Sequence, residues 1–129
     1  MPGGDAFTAL QRQEIAKAVR DAERISGRTF SVHVGPSGGD PRRYAEECHS
    51  RLPDPSNSIL IHVDPASRAV EVVTGSEVRR VMPDRRVALA VISMQAAFST
   101  GDLTRGLCAG VQHLAASARQ EKLLHTDTP

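Results

Sequence analysis

The chain has 129 residues, 40% hydrophobic and 24% charged; this suits one globular domain with a single core and excludes a disordered chain. Sixteen Lys and Arg against 15 Asp and Glu leave no field to gather polyanions, and aromatic residues at 3% are too few to stack bases, so no nucleic-acid partner is expected. No basic-then-apolar leader opens the chain and no run approaches the roughly 18 apolar residues of a membrane span, so a cytoplasmic chain with no membrane span is expected.

Thr8 with Gln11 three residues on reads as a capping box, and Ile15, Ala18, Val19, Ala22 and Ile25 follow at helical spacing. Gly27 supplies a left-handed stop. Phe30, Val32 and Val34 alternate with Ser31 and His33, the period of a half-buried strand. Asp40-Pro41 is a second helix start, after which Tyr44, Ala45, Cys48 and Leu52 share a face. Pro53 to Asn57 breaks that helix.

Ile59 to Val63 is an almost continuous apolar run of strand length, which predicts the central strand. The short link Asp64 to Arg68 makes Val70 to Val73 its antiparallel hairpin partner, whereas the helix between the first two strands makes those two parallel. From Pro83, the residues Val87, Ala88, Val91, Ile92, Met94, Ala97 and Phe98 predict a helix apolar on most sides and hence buried. After Thr100-Gly101-Asp102, Leu103, Leu107, Val111, Leu114, Ala115 and Ala118 stripe a last amphipathic helix. Cys48 and Cys108 lie in separate helical patterns without a C-x-x-C, which predicts two reduced, largely buried thiols.

The order α-β-α-β-β-α-α predicts an α/β fold in which a small mixed β-sheet of about three to four strands is sandwiched by helices. One domain is expected over residues 8–122, with flexible termini at 1–7 and 123–129.

Phe98-Ser99-Thr100-Gly101-Asp102-Leu103-Thr104-Arg105-Gly106-Leu107 resembles the Phe-x-x-Gly-Asp-Tyr-x-x-Gly-Leu junction of the TPM domain family, with Leu103 where Tyr is usual. Asn57 to Ile61 and Val81-Met82-Pro83-Asp84 resemble two further segments of that family. The resemblance runs from about Leu10 to Leu114 and is to a compact actinobacterial type of unknown function. Where relatives often carry Gly-x-Gly-Leu-Glu, this chain has Gly75-Ser76-Glu77-Val78-Arg79, so the acidic position is lost. The resemblance implies calcium binding or weak acid phosphatase activity in some members. It would place a calcium or magnesium ion on Asp64, Asp84 and Asp102 with Asn57, since hard cations need several oxygen ligands. Each has a local explanation too: Asp64 opens a turn, Asp84 sits in a first helical turn and Asp102 caps a helix.

His33 and His62, each near the carboxyl end of a strand, form a candidate acid/base pair that neighbouring strands would bring onto one face with Asp64. Gly35 to Asp40 is a Gly-rich loop entering a helix, receptive to phosphate except for the carboxylate at its cap. Arg79, Arg80, Arg85 and Arg86 could meet an acidic partner. No nucleophile is paired with a base. The expectation is a non-catalytic binding or accessory domain acting through a protein partner of unknown identity; the alternative is a divalent-cation-dependent phosphatase.

Overall fold

The computed structural model describes residues 7–119. Helix α1 (Ala9–Ser26) starts on the expected capping box, with both reciprocal Thr8 and Gln11 bonds formed, and ends at Gly27 with φ 74°. Strand β1 (Thr29–Val34), helix α2 (Pro41–Ser50) and a single 3-10 turn at Pro55–Asn57 follow. The hairpin strands are β2 (Ser58–Asp64) and β3 (Ala69–Thr74). A one-turn helix α3 (Ser76–Arg79), unread in the sequence because four residues show no period, leads to α4 (Asp84–Thr100) and α5 (Leu103–Ser117).

The sheet order is β1-β2-β3, with β1 parallel and β3 antiparallel to the central β2. This is the predicted α/β sandwich. All seven residues of β2 are buried because helices cover both its faces. Ile59, Ile61 and Val63 meet α1, α4 and α5 in the main core, while Leu60 joins Ala45 and Val73 under α2. Within the three-helix layer α5 contacts both α1 and α4, and its Leu107, Val111 and Leu114 are wholly buried.

Close approach of α4 and α5 depends on two glycines. A Cβ on Gly106 would stand 2.3 Å from the Ala97 Cβ, and one on Gly110 would stand 2.5 Å from the Met94 Sδ. Gly75 is equally committed, since a Cβ there would run into the Pro55 and Ser56 carbonyls. At the far end of β1, Arg28 is buried; its Nε donates to the Ala118 carbonyl at 2.9 Å and its Nη1 to Asn57 Oδ1 at 2.6 Å. One guanidinium thereby ties the end of α5 to the turn before β2, and burial lowers its pKa.

Two expectations are corrected. Phe7, placed in a flexible N-terminus, is 7% exposed and belongs to the main core; the rest of the expected flexible termini, 1–6 and 123–129, lies outside the described residues. Helix α4 is not buried on most sides: Ala90, Met94 and Ala97 point inward, but Leu89 is 61% and Ile92 63% exposed. α5 takes the centre of the helical layer, so α4 is left at its margin with one face outward. The thiols of Cys48 and Cys108 are half-buried and free.

Candidate functional site

Parallel pairing puts His33 directly beside His62 in the β1–β2 register. Side chains alternate along a strand, so Asp64 shares the α2-facing side with His62. The loop Gly35 to Asp40, entered with Gly35 N–H bonded to the Val63 carbonyl at 2.9 Å, then folds Ser37 back over that face. Helix α2, capped by Asp40 accepting from Arg43 N at 3.3 Å, brings Tyr44 onto it from the other side.

The result is a continuous chain of polar contacts. Tyr44 Oη lies 3.4 Å from His33 Nε2, His33 Nδ1 lies 3.0 Å from His62 Nδ1, and His62 Nε2 lies 2.9 Å from Ser37 Oγ. Ser37 Oγ reaches Asp64 Oδ2 at 2.9 Å, and the Ser37 N–H reaches the same oxygen at 3.0 Å. His62 is wholly buried, and Ser37 is 7% exposed. The three rings of Tyr44, His33 and His62 stand 4.9 to 5.4 Å apart between centroids.

The tautomers follow from the carboxylate. Asp64 only accepts, so the Ser37 hydroxyl donates to it and must accept from His62 Nε2–H. His62 Nδ1 is then an acceptor, His33 Nδ1–H its donor, and His33 Nε2 the acceptor of the Tyr44 hydroxyl. Reversing every donor would leave Ser37 Oγ and Asp64 Oδ2 facing each other with no proton between them, which a charge-assisted bond avoids. Burial opposes ionisation of Asp64, but bonds from Ser37 and Ser67 outweigh it and hold the carboxyl below its usual range. Burial first, and then neighbouring His33, lowers the pKa of His62 and keeps it neutral.

In this arrangement His62 is not the hydrogen-bond acceptor of the Ser37 hydroxyl, as the imidazole base of a serine nucleophile would be: His62 donates to Ser37 Oγ, and the hydroxyl donates to Asp64. The network joins loop, sheet and α2 in one unit. Elsewhere on α2, His49, also buried, donates to the Ser58 carbonyl at 3.1 Å, at the opposite end of β2.

The four residues expected to hold a cation do not converge. Asp84 and Asp102 stand at opposite ends of the 17-residue α4, about 25 Å apart at helical rise. Asn57 and Asp64 flank the length of β2, about 20 Å apart. Asp102 caps α5 through Arg105 N at 3.2 Å and pairs with its guanidinium, and Asn57 is engaged by Arg28 and the Gly27 carbonyl. Among the described residues no group of three or more His, Cys, Asp or Glu side chains could hold a metal ion. No helix among them is long and apolar enough to cross a membrane.

Sequence reasoning brought together His33, His62 and Asp64 but missed Ser37 and Tyr44. The Gly-rich loop carried the missing signal: a chain leaving β1 beside β2 must cross the carboxyl end of β2, and Ser37 is its polar side chain before Asp40. Also missed was a groove of about 490 Å³ bounded by Arg42, Glu71, Arg79, Asp84 and Ile92, since it opens beside the α4 face expected to be buried.

A mixed three-stranded sheet between one helix and a three-helix layer, with its histidines absorbed in an internal relay, defines a compact α/β sandwich domain. The chain belongs to the family described as Domain of unknown function (DUF5130), whose profile matches residues 3–115. It is 34% identical over 103 residues to the uncharacterized proteins MT2543 and Rv2468c of Mycobacterium tuberculosis; the match covers 77% of this chain and 62% of each relative. The chain thus spans less than two thirds of the length of those curated relatives.

Its fold is similar to the NMR structure of BA42 protein from Bizionia argentinensis, with a TM-score of 0.78 at 22% identity, covering 87% of this chain and 81% of that one. It is also similar to the N-terminal domain of the cg2496 protein of Corynebacterium glutamicum, with a TM-score of 0.69 at 17% identity, covering 87% and 74%.

The match to the DUF5130 family overturns the resemblance to the TPM domain. The motif that suggested it has a general physical cause: a tight corner between packed helices requires the left-handed Gly101, with φ 79°, the cap Asp102 and the close-approach Gly106.

Proposed function

We propose that the chain is a non-catalytic binding domain that acts through protein contacts. The observation that carries this reading is the outward face of α4, where Leu89 and Ile92 are 61% and 63% exposed on consecutive turns beside the 490 Å³ groove. Large apolar side chains clustered on one face and rimmed by charge mark surfaces that a partner covers. Arg85 and Arg86 lie exposed one turn earlier and favour a partner with carboxylates around an apolar centre.

Three of the four polar candidates support the same reading because their side chains are engaged within the fold. Asp64 is bound by Ser37, Asn57 by Arg28 and Asp102 by Arg105. The purified chain, given a generic aryl phosphate with and without calcium or magnesium, is expected to show no turnover. Turnover that disappears in a folded Asp102→Ala variant would overturn the reading in favour of a divalent-cation-dependent phosphatase.

A further inference from the structure

Helix α4 turns Ala90, Met94 and Ala97 inward. At about 3.6 residues per turn the opposite side carries Arg85, Leu89, Ile92, Ala96 and Ser99, and all five are exposed. Their spacing of four, three, four and three residues is that of a coiled-coil seam, which a second helix covers along its length. Leu89 and Ile92, 61% and 63% exposed, therefore belong to a stripe shaped for another helix.

The stripe is graded from end to end. Its first half is bulky and cationic, with Arg85, Leu89 and Ile92; its second half, Ala96 and Ser99, is small and uncharged, and the chain then turns at Gly101 into Asp102. Parallel pairing of two such helices would set Arg85 against Arg85 and leave the small halves facing each other. Antiparallel pairing about the middle of the stripe sets Ile92 on Ala96 and Leu89 on Ser99 of the other helix, each contact occurring twice as a twofold axis requires. It also carries Arg85 to the carbonyl end of the other α4, the negative end of the helix dipole. Asp102 stands just beyond that end and is 51% exposed; of the roughly four acceptor sites of a carboxylate, its bonds to Arg105 use two. Among the described residues neither Arg85 nor Arg86 has an ion-pair partner.

We propose that α4 is the seam of a twofold-symmetric dimer, in which the α4 helices of two copies of this chain pack antiparallel. The proposal rests on the reading of α4 as a protein-contact surface and names the partner. A second copy presents the apolar centre with carboxylates around it that the arginines favour, as Leu89 and Ile92 between Asp84 and Asp102. Ala96 and Ser99 let the two axes approach to about 8 Å. One helix pair falls short of the roughly 1,200 Å² of a standard interface, so the dimer is a weak one, with a Kd on the order of 100 μM.

The test follows the mass of the purified full chain by sedimentation equilibrium from about 10 μM to about 1 mM, a range that brackets this Kd. The parent is expected to pass from monomer to dimer. Ile92→Glu, with Leu89→Gln as a second variant at an exposed position, should weaken the dimer roughly tenfold or more while both keep the parent's circular dichroism spectrum. Arg85→Glu should weaken it about fivefold, since two exposed ion pairs are lost. In a mixture of isotope-labelled and unlabelled chains, intermolecular NOEs should join Leu89 of one copy to the 96–100 end of α4 in the other. A chain that stays monomeric at the highest concentration, a dimer indifferent to Ile92→Glu, or NOEs joining Arg85 to Arg85 overturns the proposal. The broader reading fails separately: a monomeric chain whose Leu89 still captures a different protein in cells refutes the second copy and leaves the contact surface standing.

Discussion

His33 Nδ1 lies 3.0 Å from His62 Nδ1, so two imidazoles on neighbouring strands share one proton position. Both cannot be protonated without two donors facing each other. Nitrogen chemical shifts at pH 8 are expected to report His62 protonated at Nε2 and His33 at Nδ1; the reverse assignment would break the relay as described.

The pH dependence of stability follows from His62. Its pKa is lowered from the ordinary 6.5 by burial and by His33, so the folded chain binds fewer protons there than the unfolded chain. Stability is therefore full above about pH 6.5 and declines as pH falls below it, until the folded value is passed. Asp64 adds a second loss at lower pH: its pKa is depressed from the ordinary 3.8, so its contribution is present above that value and disappears as pH falls through the folded one. Urea denaturation from pH 8 to 5 should show a steeper loss in the parent than in His62→Gln. Equal slopes would remove His62 as the cause.

Ser37→Ala deletes the link between His62 and Asp64: the buried His62 Nε2–H loses its acceptor, while Asp64 loses the hydroxyl but keeps the backbone N–H of residue 37. A loss of about 1 to 3 kcal/mol is expected by chemical denaturation. Loss below about 0.5 kcal/mol, the range of an ordinary surface change, would show that the loop is not held by this bond.

The helix corner gives a ranked prediction. Ala for Gly in a helix interior ordinarily stabilises by about 1 kcal/mol, yet at Gly106 the new methyl meets the Ala97 Cβ at 2.3 Å, which has no rotamer to move into. Gly106→Ala is expected to destabilise by about 1 to 3 kcal/mol. Gly110→Ala should cost less, because the atoms it meets belong to the flexible Met94 side chain. Thermal melts in the opposite order would contradict the packing described.

Much of the architecture was legible because it is written in short-range signals. The Thr8 capping box, the left-handed Gly27 and the Asp102 cap all fix helix ends within four residues, and the apolar run Ile59 to Val63 marks a strand covered on both faces. What the sequence concealed depends on distant neighbours. An apolar α4 reads as buried until α5 is seen to hold the centre of the layer. Phe7 precedes the first helix and enters the core only because α1 folds over the sheet.

The candidate site was legible in part for the same reason. His33 and His62 could be paired because parallel register follows from the crossover helix, whereas Ser37 is aimed by loop conformation. Asp64, Asp84 and Asp102 share a chemistry, but two of them are separated by the full length of α4.

The most direct test of the protein-contact reading places a photo-crosslinking amino acid at Leu89 in the full chain in its native cells, with the exposed Gln13 as a control position. A discrete adduct with a protein partner at Leu89, absent at Gln13 and lost in Ile92→Glu, is the predicted result, with the stability of Ile92→Glu unchanged within about 0.5 kcal/mol. No adduct at Leu89, or the same adduct from Gln13, would contradict it.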